Sequence, residues 1–246
     1  MRTLTLDLKR QKTPNRAKRA ERLYSKQLRA LAEHVGQMIG GFPAGDPSAL
    51  PTIENMLRRY AEALIPWAEQ TAATMIAEVN TSDLNQWRQL GKELSIETRR
   101  EIVLTPTGEL MRKLMAQQVT LIKSIPLDAA QRVHDLTIKG LENSTRAKEI
   151  AAEIMRSGHV AKSRAMLIAR TEVSRTAANL TQARAEHVGS YGYVWETSHD
   201  GDVRPSHKAM QGKFVPWDSP PTLDGMTGHA GCLPNCRCWA RVILPE

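Results

Sequence analysis

Three cysteines, Cys232, Cys236 and Cys238, make up the whole thiol complement of the chain and fall within seven residues of one another. Cys236 and Cys238 stand two apart on a predicted strand and so share one side of it, while Cys232 can return from the preceding loop. With His207, or His229 as an alternative, they compose a nitrogen and sulfur set of the kind that holds zinc. The competing reading is a group of structural thiols, or a disulfide made in an oxidising environment. Cys236 and Cys238 cannot readily pair with each other from one strand. Upstream, Asp200, Arg204 and His207 are spaced to converge at one end of a short helix, where such a trio supports acid–base or phosphate chemistry. Without a nucleophile, an Arg204 pair with Asp200 or Asp202 and a packed or metal-bound His207 are the favoured account. Glu172, Arg175, Thr176 and Asn179 form a polar stripe on one helix face, which an internal salt bridge explains without a substrate.

These residues need elements to position them. Met166, Ala169, Val173, Ala177 and Leu180 recur at steps of three and four, which predicts a helix from Ala165 ending at Gly189, Ser190 and Gly192. A strand follows over Tyr191–Thr197, with Tyr191, Tyr193 and Trp195 expected on one side. Asp200-Gly201-Asp202 reads as a turn, and Pro205 and Gly212 bracket one or two helical turns. Lys213–Val215 is a short strand. Residues 216–234 read as a long irregular loop, and Cys236–Leu244 as a closing strand.

In this order and spacing, Ile168-Ala169-Arg170-Thr171-Glu172, Asn179, Trp195, Asp200, Arg204, His207, Gly212 and Cys236-Arg237-Cys238 resemble the phage Mu F-like head morphogenesis family. Its members are minor head proteins of tailed bacteriophages. The match covers roughly the last 90 residues, and it implies that Arg170, Glu172, Asn179, Asp200 and Arg204 form a structural polar network. It further implies a virion protein of the head interior or portal region, assembled in the host cytoplasm, with the portal protein and the major capsid protein as partners.

The rest of the chain is read from pattern alone. The formal charge of +8 is unevenly placed: residues 1–30 hold ten Lys or Arg and two acids, and the remainder is balanced at 24 of each. Arg16, Lys18, Arg19, Arg22 and Lys26 therefore belong to a cationic arm suited to DNA phosphates or an acidic partner. A solvated helix start is the bland alternative. Leu23, Leu28, Leu31 and Val35 predict a helix over residues 16–38, and Gly40–Pro47 a break. Helices follow over 52–79, divided at Pro66, then over 84–103 with Asn80–Asp83 as its cap. Further helices cover 110–125 and 127–141, separated at Pro126, and 146–156 capped by Ser144.

The expected fold is α+β: a mostly helical N-terminal part with a small α+β C-terminal domain in which a long helix packs on short strands. The expected divisions are a basic arm and helix (1–42), a helical bundle or arm (43–157) and the Mu F-like domain (158–246). No apolar run is long enough to span a membrane, and the opening residues lack the apolar core of a secretory leader. P-loop, dinucleotide, nucleophile-elbow and His-Glu-x-x-His patterns are absent, which removes the commoner enzyme templates. The function that the resemblance implies is that of a minor head protein acting in head morphogenesis. The alternative is a metal-dependent phosphodiester hydrolase or toxin-like enzyme using Glu172 and His207.

Overall fold

A computed structural model describes residues 17–42, 49–90, 96–142 and 147–244. Six long or medium helices come first: α1 (Lys18–Gly40), α2 (Leu50–Ala63), α3 (Ile65–Leu90), α4 (Ile96–Leu104), α5 (Gly108–Glu142) and α6 (Ala147–His187). Then come β1 (Gly192–Glu196), the short α7 (Pro205–Lys208), β2 (Phe214–Pro216), β3 (Thr222–Leu223), β4 (Met226–Thr227) and β5 (Trp239–Ile243). The class is α+β, as expected.

The chain forms two compact units. One gathers Met75–Leu114 and Arg170–Glu246 with the first residues of α1, and the other Arg22–Thr74 and Met115–Ala169. The division expected at 157/158 lies inside α6. In the second unit, Tyr24, Leu28, Leu31, Val35 and Ile39 of α1 are buried at helical spacing, together with Ile53 and Leu57 of α2 and Ile122, Ile125 and Val133 of α5. Leu23, expected on that face, is exposed, because the stripe runs through Tyr24, whose hydroxyl donates to Gln118 Oε1 at 3.0 Å.

One expected helix division is found, and three others are not. Pro66 does divide α2 from α3, since in the first turn its missing N–H has no intrahelical partner to lose. Pro126, by contrast, sits inside a continuous α5, between the buried Ile125 and Ala129. Asn80–Asp83 is not a cap but the middle of α3: Thr81 Oγ1 donates back to Ala77 O at 2.9 Å, and Asp83 is buried against Arg184 of α6. Likewise α6 runs unbroken from Ala147, so the helices expected over 146–156 and from Ala165 are one.

The small sheet has the order β2-β1-β5, antiparallel throughout, with Tyr193 opposite Val215 and Val242, and Trp195 opposite Ala240. Period-two alternation buries Tyr193 and Trp195 completely, whereas Tyr191, one residue ahead of β1, is exposed. Their core is completed by Val215, Trp217, Ala230, Leu233, Val242 and Leu244, and by Trp87 and Ile102 from α3 and α4. Gly192 has to be glycine, because a Cβ there would lie 2.6 Å from the Phe214 ring and from Val215 O. The segment expected to be an irregular loop contains the β3–β4 hairpin, turned by Asp224 and Gly225 at φ 52° and 76°. An Asp-Gly pair with both residues left-handed is the signature of a tight hairpin turn. Among the described residues no helix is long and apolar enough to cross a membrane.

Candidate metal centre

His207 reaches the site from α7, where Pro205 starts the helix and the imidazole is 2% exposed, edge-on to Trp195 at 5.6 Å between ring centroids. Cys236 and Cys238 meet it. They precede β5 rather than lying on it, because Asn235 turns the chain at φ 58° and Cys236 N–H donates to Leu233 O at 2.9 Å. Each sulfur is 3.5 Å from His207 Nδ1, and the three ligand atoms lie within 4.8 Å of one another. For zinc bonds of about 2.0 Å to nitrogen and 2.3 Å to sulfur, a tetrahedral N···S edge is about 3.5 Å. The group therefore has the dimensions of a metal site, and all three side chains are buried.

The hydrogen bonding around the imidazole fixes its tautomer. Arg204 Nη1 lies 3.4 Å from His207 Nε2, and its other amino group donates to Pro234 O. A guanidinium only donates, so Nε2 accepts and the ring proton sits on Nδ1, facing the sulfurs. A hydrogen bond from the Cys238 side chain draws the Cys236 thiol down to about 5, against burial, with backbone N–H groups of Cys238 and Gly231 helping. A preformed thiolate is the state a metal needs.

Two of the expected ligands stand apart. Cys232 Sγ points at Asn179 Oδ1, 3.8 Å away, and burial pushes its thiol up to about 11, with the Cys236 thiolate adding to the rise and Arg175 opposing it. His229 has both ring nitrogens engaged: Nε2 donates to Trp217 O at 3.0 Å, and Nδ1 accepts from Tyr193 Oη at 3.3 Å. Burial holds the His229 imidazole below its usual range.

The polar stripe of α6 grips the loop that carries the cysteines. Arg175 Nε donates to Cys232 O at 3.1 Å while its Nη1 pairs with the buried Glu172 at 3.0 Å. Arg170 reaches Asn235 Oδ1 at 3.4 Å, and Thr171 Oγ1 accepts from Asn235 N–H at 3.0 Å. Gly231, at φ 87°, lets this loop lie close to Ala178 and Cys238 O. Asp200 does not converge with Arg204 and His207. Its carboxylate, like that of Asp202, pairs with Arg237, at 2.9 and 3.1 Å respectively. The expected pairing of Arg204 with these acids is thus replaced by Arg237, which the turn at Asn235 brings to them.

Of the cationic positions, Lys18, Arg19, Arg22 and Lys26 are exposed on α1, with Arg19 3.3 Å from Glu78. Arg16 lies outside the described residues. Sequence reasoning passed over Asn235 and Arg184, and gave Thr171 and Asp83 no role beyond a shared motif and a helix cap. An Asn beside a Pro marks a turn, but nothing local links Asp83 to a residue 101 positions away.

Residues 131–241 match the family model described as phage Mu protein F like protein. An uncharacterized protein of Haemophilus influenzae is 36% identical over 162 residues, covering 66% of this chain and 34% of that protein. A protein of Enterococcus faecalis named NAD(+)–arginine ADP-ribosyltransferase EFV is 32% identical over 122 residues, covering 45% of this chain and 25% of that protein. The chain thus spans about a third or less of the length of these curated relatives. No solved structure matches it.

Proposed function

We propose that this chain, which carries a phage Mu protein F like domain over residues 131–241, acts in bacteriophage head morphogenesis as a minor component of the particle. The family match is the observation that carries this reading. The portal protein and the major capsid protein are the proposed partners, and the virion head or portal region the proposed location. The exposed Lys18, Arg22 and Lys26 on α1 support a contact with packaged DNA or an acidic protein surface, since cations on a helix face attract phosphates through non-specific charge. The ion proposed for His207, Cys236 and Cys238 is zinc, because two thiolates and an imidazole are the donors that it favours.

The transferase name belongs to the Enterococcus protein, a quarter of which is covered by the alignment. The hydrolase alternative finds no support in the site, because Glu172 is paired with Arg175 and stands outside the His207 group. The test is a blot for the chain across a density gradient of phage particles. Co-sedimentation with assembled heads is expected. Chain confined to the soluble fraction, while heads form normally in its absence, would overturn the reading.

A further inference from the structure

We infer that Cys232 is the fourth ligand of a closed, four-coordinate zinc site with His207, Cys236 and Cys238, and that the ion staples the C-terminal fold instead of activating a substrate. The inference rests on the zinc reading above and adds the coordination number and the role.

Three observations lead to it. First, His207, Cys236 and Cys238 are 2%, 3% and 6% exposed. A catalytic zinc keeps one coordination position open to water or substrate, whereas a structural one is closed by protein. Second, the other nearby donors are committed elsewhere: His229 through both nitrogens, Asp200 and Asp202 to Arg237, and Glu172 to Arg175. The Cys232 sulfur has a long contact to Asn179 Oδ1, at 3.8 Å, which costs little to break, while the backbone of Cys232 stays held by Arg175 and His229. It lies four residues before Cys236, and a change of staggered rotamer moves a cysteine sulfur by roughly 3 Å.

Third, the segments that converge here have little regular structure of their own. Between β1 and β5 the only elements are α7, of four residues, and strands of two or three. A single ion would join α7, the Gly231 turn and the lead into β5, and so replace hydrogen-bonded ladder with coordination bonds. Ligation at Nδ1 moves the His207 proton to Nε2, and Arg204 then keeps its bond to Pro234 O in place of the 3.4 Å contact with the ring. Deprotonating the half-buried Cys232 thiol, with release of its proton to solvent, is the step that the cation itself drives.

The experiment uses the full chain. Elemental analysis of the purified protein is expected to return one zinc per chain. Replacement by cobalt is expected to give the visible bands of a tetrahedral ion and a sulfur-to-metal charge-transfer band in the near ultraviolet. In Cys232→Ser that band falls by about one third, as one thiolate of three is lost, and zinc affinity drops at least about tenfold, since coordinated ligands contribute heavily to affinity. Stripping zinc from the wild-type chain with a chelator lowers its melting temperature by about 10 °C, and added zinc restores it. An unchanged cobalt spectrum in Cys232→Ser would overturn the fourth ligand. A chain that purifies without thiophilic metal, or melts identically with and without chelator, would overturn the staple, even if Cys232→Ser fails to fold. Neither result touches the particle blot, so the head-assembly reading stands or falls separately.

Discussion

Replacing Arg184 with methionine should destabilise the unit that contains the candidate site by about 3 kcal/mol, at the lower end of what breaking a buried ion pair costs. The side chains of Arg184 and Asp83 are 2% and 3% exposed. Arg184 donates to Asp83 Oδ2 and, at 2.6 Å, to Asn80 Oδ1, while Thr181 Oγ1 donates to Asp83 Oδ1 at 2.6 Å. Burial raises the Asp83 carboxyl against the pull of Arg184 and Thr181. Without the guanidinium, the carboxyl is relieved by taking up a proton, which limits the loss. For a chain of this size about 3 kcal/mol corresponds to a melting shift of roughly 6–12 °C. Scanning calorimetry is the suitable assay, because two compact units need not melt in one transition. The double variant Asp83→Leu/Arg184→Met removes both charges and should recover most of the loss. A single variant within about 0.5 kcal/mol of wild type, or a double variant no better than the single, would refute the reasoning.

Other consequences are checked more simply. Gly192→Ala places a Cβ 2.6 Å from Val215 O, a backbone atom that cannot give way, and should cost about 1–3 kcal/mol in denaturant unfolding. His229, held neutral by burial below its ordinary 6.5, contributes stability that is present above that pH and lost as pH falls towards the depressed folded value. His229→Gln should flatten that part of the wild-type stability profile between pH 7 and 5. Neutralising Lys18, Arg19 and Arg22 together should weaken DNA binding and lower its salt dependence by a slope of at most about three, and identical salt titrations would remove DNA from the functional proposal.

Much of the candidate site was legible along the chain because its signals are local. Period-two apolarity placed β1, and its largest rings are the ones buried. Pro205 and Gly212, the latter at φ 75°, bracket the helical turn that presents His207. Clustering of the cysteines announced a sulfur site, and clustering of cations set α1 apart. Where the reading failed, a local signal had two meanings. Asn80–Asp83 has the composition of a cap, yet in α3 the side chains of Asn80 and Asp83 face a buried arginine instead of the helix's own N–H groups. Pro126 ordinarily breaks a helix, but α5 carries it within a buried stretch.

The amino-acid sequence by itself determined which chemistry was on offer: three thiols, two imidazoles near them and an arginine on either side of Pro234. Tertiary structure alone decided the pairings. Arg237 took the two acids, Arg204 took His207, and Cys236 with Cys238, rather than Cys232, met the imidazole. The reason is that composition and periodicity fix which face of an element is apolar or polar, over a few residues. A contact between residues tens of positions apart depends on how turns such as Asn235 aim the chain, and on which buried polar group would otherwise go unpaired.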